Sequence, residues 1–140
     1  MNRKRLGEIL VSEDWITEEQ LAVALATKPL SRRLGEHLRA MGLITEVDLY
    51  TALALQNDLP IGKPEPSSVS LAVTRTLPAA LAKKWCVLPF RIAAGELYLA
   101  GAEIPGEQMQ EEIRQFSSLG IRFRLVTPTD FEELAAQYLP

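Results

Sequence analysis

The 140 residues predict an α+β fold: an N-terminal four-helix tandem-hairpin subdomain followed by a small α/β sandwich subdomain. Three observations carry the prediction. Residues 5–28 recur as residues 33–56, residues 59–68 are proline-rich and aperiodic, and residues 69–140 alternate short strand-like runs with helical ones. The expected division is 1–58 for the tandem repeat, 59–68 for a linker and 69–140 for the sandwich.

Set against each other at an offset of 28, the two copies share twelve of twenty-four residues, where ordinary usage gives roughly one or two by chance. The shared residues include Arg5/Arg33, Leu6/Leu34, Gly7/Gly35, Leu10/Leu38, Ile16/Ile44, Leu21/Leu49 and Ala24/Ala52. In each copy the apolar residues fall at helical spacing, with Leu6, Ile9 and Leu10 on one short helix and Leu21, Ala24 and Leu25 on the next. Each copy is therefore a helical hairpin, and the four helices make one bundle. Thr17 with Gln20 three residues on has the form of a capping box, and Thr45 with Asp48 is a weaker version. Gly42 suits the left-handed residue that closes the first helix of the second copy, and Pro29 ends the second helix of the first.

Beyond the linker, 78–84 reads as a helix, 87–91 and 97–100 as strands joined by a turn at Ala94-Gly95, and 106–116 as a further helix. Residues 121–126 alternate apolar and basic like a half-buried strand, and 130–138 is a final helix that Thr129 would cap, with Glu132 three positions on. Trp15, Trp85 and Cys86 are expected in the core. A single cysteine makes no disulfide framework and fits a reducing compartment.

A formal net charge of -3 gives no broad cationic field, so nucleic acid is not an expected partner. Basic residues do cluster at Arg3-Lys4-Arg5 and at Arg32-Arg33, where local anion sites could form. No apolar run approaches the roughly 20 residues that span a bilayer, and the opening MNRKRLGEIL lacks a secretory apolar region. A soluble, cytoplasmic chain with no direct membrane insertion is expected.

Arg5 and Arg33 each open a helix, where the helix dipole makes a cation cost about 0.3–1 kcal/mol. An anion would offset that cost, because a guanidinium beside unpaired backbone N–H groups is a ready phosphate site. Gly7 and Gly35, two residues on, permit close approach by a ligand or by another backbone. No enzyme is expected, and no metal or other cofactor. His37 is the single histidine, with no cysteine or paired carboxylate at a telling spacing, and Glu18-Glu19 and Glu111-Glu112 read as solvated helix faces.

The second copy, RLGEHLRAMGLITEVDLYTALALQ, resembles throughout the tandem motif of the N-terminal domain of type II secretion and type IV pilus assembly ATPases. That motif runs RLG-x-x-L, then a glycine, an aliphatic pair, spaced leucines and a closing glutamine. In MshEN-type members it binds cyclic di-GMP. The resemblance implies a bacterial regulatory domain in which the arginine and apolar side chains of each copy grip one half of the dinucleotide. By position, Arg5, Leu6, Gly7, Leu10 and Lys28 would form one half-site, and Arg33, Leu34, Gly35, Leu38, Gly42 and Gln56 the other. The first copy departs from the pattern: Asp14 stands for the glycine, Lys28 for the glutamine, and the spacer 29–32 is slightly short. Asp14 pointing inward would repel a phosphate, whereas Lys28 would attract one.

Residues 77–89 also look like this family, with its L-P-x-x-L-A-x-x-x-x-V-L-P segment. No G-x-x-x-x-G-K-[ST] occurs, so this stretch is not the motor itself. The same module ends certain inner-membrane glycosyltransferases of the phage-adsorption type, and a chain ending at Pro140 directly after a helix fits an excised domain. The implied partners are cyclic di-GMP and a parent or partner inner-membrane protein, either secretion platform or glycosyltransferase, at the inner face of that membrane. A docking domain without nucleotide binding is the alternative. A helix-turn-helix DNA binder is opposed by the acidic balance and the lack of a basic recognition helix.

Overall fold

Both capping boxes form. Thr17 Oγ1 accepts from the Gln20 N–H at 3.1 Å while Gln20 Oε1 accepts from the Thr17 N–H at 2.9 Å. Thr45 and Asp48 make the same reciprocal pair at 3.1 and 3.0 Å. In this computed structural model, which describes residues 5–139, the boxes open α2 (Glu18–Thr27) and α4 (Glu46–Gln56). The shorter α1 (Leu6–Ser12) and α3 (Leu34–Ala40) precede them. Arg3 and Lys4 of the first basic cluster lie outside the described residues.

The first helix of each copy closes in the same way. The Trp15 N–H donates to Leu10 O at 3.0 Å and the Leu43 N–H to Leu38 O at 3.1 Å, around a left-handed residue at Asp14 (φ 60°) or Gly42 (φ 76°). The departure at Asp14 is thus a backbone matter, and its exposed side chain caps no helix. Left-handed backbone is unfavourable for any residue with a Cβ. Asp14→Gly is expected to stabilise the protein by about 0.5–1 kcal/mol, read as a higher urea midpoint in far-UV circular dichroism.

The chain divides into two compact units, Met1–Asp58 and Leu59–Pro140. In the first, α1 packs on α2 and on α4, while α2 packs on α3. Each copy's first helix therefore leans on the second helix of the other copy, so neither hairpin closes its core alone. That core holds Ile9, Leu10, Ile16, Ala24, Leu38, Ile44, Leu49 and Ala52. Many of the identities between copies are accounted for here, since Leu10/Leu38, Ile16/Ile44 and Ala24/Ala52 are all buried. Trp15 packs half-buried against the same core, but Leu25, expected on the apolar face, is 54% exposed. It lies about 100° around α2 from buried Ala24.

Residues 59–68 are not a free tether. Pro60 O accepts from the Leu125 N–H and Leu125 O from the Gly62 N–H, both at 2.9 Å, so Ile61 bridges to Leu125 in parallel. The Arg124 side chain donates to Gly62 O at 2.7 Å, Pro64 is buried, and Pro66–Ser68 forms a 3-10 turn. Lys63 pairs with Glu133 at 2.6 Å, a hydrogen bond that raises the lysine pKa.

The second unit continues with α5 (Leu71–Thr74), α6 (Ala79–Trp85), β1 (Val87–Ala93), β2 (Glu96–Gly101), α7 (Glu107–Arg114), β3 (Gly120–Leu125) and α8 (Pro128–Tyr138). The sheet order is β1-β2-β3. β1 and β2 form the expected antiparallel hairpin, with positive φ at both Ala94 and Gly95, while β3 runs parallel to β2 after the α7 connection. On one side of the sheet Leu88, Phe90 and Ala100 pack with Phe131 and Leu134 of α8 and Ala82 of α6. On the other strand face Val87, Leu97, Leu99 and Leu125 are buried, as are Met109 and Ile113 of α7. Lys84 donates to Glu112 at 2.8 Å and holds that carboxyl below its ordinary pKa.

Two expectations about this unit are corrected. The last helix is capped by Thr127, whose hydroxyl accepts from the Asp130 N–H at 3.1 Å, and not by Thr129. Pro128 decides this, because its fixed φ suits the first helical position and moves the start upstream. Cys86 is only half-buried rather than a core residue: it ends α6 in left-handed backbone (φ 50°), which turns its side chain to the margin of the core. Trp85 is likewise half-buried.

Candidate functional site

Arg5 and Arg33 occupy the N-cap positions of α1 and α3 with almost the same extended backbone, φ/ψ of -70°/152° and -73°/153°. No side chain caps either helix, so the first amide hydrogens of each are left to other acceptors. Both arginines are exposed, and among the described residues neither side chain makes a hydrogen bond or ion pair. Two unspent guanidinium groups are thereby presented in matching settings.

The glycine of each triplet explains why the openings lie together. Gly7 and Gly35 are buried, and a Cβ at Gly35 would fall 2.5 Å from Leu49 Cδ1, while one at Gly7 would fall 2.8 Å from Leu21 Cδ1. The glycines therefore let the first helix of each hairpin sit against the leucine of the second. Gly35→Ala is expected to cost about 1–3 kcal/mol, read as a lower thermal midpoint, because the buried Leu49 side chain must shift within the core to make room. A Cβ at Gly7 would also meet Leu34 Cδ2 at 3.5 Å, so the openings of α1 and α3 are neighbours. Leu6 and Leu34 are half-buried there.

The remaining expected site residues have other settings. Leu10 and Leu38 are fully buried in the four-helix core, Gly42 is exposed in its turn, and Gln56 is half-buried at the end of α4. Lys28 ends α2, and its ammonium donates to Arg32 O at 2.9 Å and Pro29 O at 3.3 Å. It fastens the loop that leads into Arg33. His37, the single histidine, is buried, with Nε2 3.0 Å from Thr27 Oγ1, and so ties α3 to α2 of the other copy. Its alignment with buried Ile9 is the signal that could have found it.

Among the described residues, no group of three histidine, cysteine or carboxylate side chains could hold a metal ion, and no helix is long and apolar enough to cross a membrane.

The family model of the MshEN domain matches residues 57–140. Bacteriophage adsorption protein B of Escherichia coli K12 and Bacteriophage N4 adsorption protein B of Escherichia coli O157:H7 are each 36% identical over 98 residues. That stretch is 70% of this chain and 13% of those proteins, so the chain spans a small part of their length. A solved structure of MshE with cdg resembles it with a TM-score of 0.84 and 30% identity, covering 97% of this chain and 99% of that one. The N-terminal domain of XpsE shares the fold over the whole of both chains, with a TM-score of 0.67 and 18% identity. With a family model spanning the second unit and a 30%-identical structure following nearly the full length, the chain belongs to the MshEN domain family.

Proposed function

We propose that this chain is a non-catalytic regulatory domain that binds cyclic di-GMP through its tandem RLG repeats and so controls a secretion, pilus or polysaccharide-export machine. The observation that carries the reading is the likeness, over 97% of the chain, to MshE with cdg. One half-site is Arg5, Leu6, Gly7, Leu10 and Lys28; the other is Arg33, Leu34, Gly35, Leu38, Gly42 and Gln56. The guanidinium groups of Arg5 and Arg33 meet the phosphate and guanine acceptors, which their forked donors suit. Leu6 and Leu34 supply apolar contact beside them. Leu10, Leu38 and the glycines act from beneath, by holding the helix openings side by side, and Lys28 steadies the approach to Arg33. A ligand with two equivalent halves fits a site made of two copies.

The machine is a parent or partner protein at the cytoplasmic face of the bacterial inner membrane, either a secretion platform or a glycosyltransferase. One observation favours pure docking instead: the ammonium of Lys28, in the place of a glutamine, is already spent on backbone carbonyls. Calorimetric titration decides between the two. Saturable heat with cyclic di-GMP and none with GTP is the expected result, and flat traces with both would leave only docking.

A further inference from the structure

The second unit sorts its charges by end. β1 finishes and β2 and β3 begin at one end of the sheet, and α7 runs back to it, so residues 91–96 and 114–122 gather there. Those stretches carry Arg91, Arg114 and Arg122 against a single acid, Glu96. Residues 101–107 and 125–133, at the other end, carry five acids and no base. α6 also finishes at that other end, with Lys83 exposed and Lys84 paired to Glu112. Arg91, Tyr98 and Arg122 stand on one rung, which sets the two arginines about 10 Å apart on one face of the sheet. Arg91 lies over the Tyr98 ring at 5.2 Å, Arg122 pairs with Glu96, and Arg114 donates to Gln110 at 3.3 Å; all three are exposed. The same end also exposes apolar groups. Ile92, on the α7 face of the sheet, is 46% exposed, and Phe116, on the chain between α7 and β3, is 51% exposed. Ala94 is exposed in the turn between β1 and β2.

A lone exposed apolar side chain is ordinary, but two at the cationic end of a unit whose charge is sorted in this way mark a place of contact. We infer that this end of the sheet rests on an anionic lipid bilayer. The headgroup phosphates take Arg91, Arg114 and Arg122, while Phe116 and Ile92 reach the boundary between headgroups and acyl chains. The contact is peripheral, since among the described residues no helix is long and apolar enough to cross. An acidic protein surface would satisfy the arginines but would need apolar hollows placed to fit Ile92 and Phe116, whereas a bilayer offers both layers at every point. The acids at the opposite end orient the unit, because the charge that attracts the arginines repels them. None of these residues belongs to either half-site, so lipid contact goes beyond the ligand reading and does not rest on it.

Flotation of the whole chain with lipid vesicles tests this. Binding is expected to vesicles of equal parts phosphatidylcholine and phosphatidylglycerol, weakening as salt is raised, and is expected to be much weaker with phosphatidylcholine alone. Arg91→Glu and Arg114→Glu are each expected to weaken it about tenfold or more, and Phe116→Ser by about tenfold. Lys83→Glu changes the net charge equally at the other end and is expected to bind as the wild type does. Far-UV melts check that every variant is folded. Calorimetry with cyclic di-GMP is expected to give the same trace for all of them, so loss of lipid binding and loss of ligand binding are told apart. No binding to the charged vesicles, equal binding to both kinds, or a loss as large in Lys83→Glu as in the arginine variants would each overturn the proposal. So would folded Arg91→Glu, Arg114→Glu or Phe116→Ser chains that bind as the wild type does.

Discussion

Leu38→Ala is expected to cost the first unit about 2–5 kcal/mol, because it removes most of a fully buried side chain and the neighbours can collapse only partly into the space. A unit of this length holds about 3–9 kcal/mol in all, so much of its stability goes with one residue. The second unit has a separate core around Leu88, Phe90, Phe131 and Leu134 and is expected to keep its stability. Denaturation followed by circular dichroism should accordingly show one transition moving to lower urea while another stays in place. An unmoved profile would mean that Leu38 is not a core residue.

Arg33→Ala is expected to do the opposite, leaving the urea profile unchanged and weakening cyclic di-GMP about 10- to 100-fold, the worth of a lost charge-assisted hydrogen-bonding group. The side chain is exposed and makes no hydrogen bond or ion pair among the described residues, so the fold loses no polar partner. Arg5→Ala should behave alike, since its backbone setting matches that of Arg33 within a few degrees. Arg33→Lys keeps the charge but not the forked donor, and an intermediate affinity is expected. Together the Leu38 and Arg33 variants test whether stability and ligand affinity rest on different residues. Wild-type affinity in folded Arg5→Ala and Arg33→Ala chains would remove the arginines from the site.

Much of the fold is legible in the sequence because it is governed by neighbours a few positions away. A threonine reaches the amide three residues on, a proline sets its own φ, and an apolar period of three to four makes a helix. Hence both capping boxes, the paired hairpins of the repeat and the Ala94-Gly95 turn can be read from residue order. Where two local rules competed, the reading failed, as when Pro128 moved the last helix start from Thr129 to Thr127.

The candidate site divides in the same way. The duplicated RLG triplets by themselves determine that two arginines open two helices in like settings, since that rests on local backbone alone. Only the tertiary structure decided that α1 leans on α4 and α2 on α3, that Gly7 and Gly35 make way for Leu21 and Leu49, and that Lys28 clasps the loop before Arg33. It likewise decided that residues 60–62 pair with the end of β3. These outcomes depend on which distant surfaces meet, and spacing along the chain carries no record of the shape or depth of the space between them.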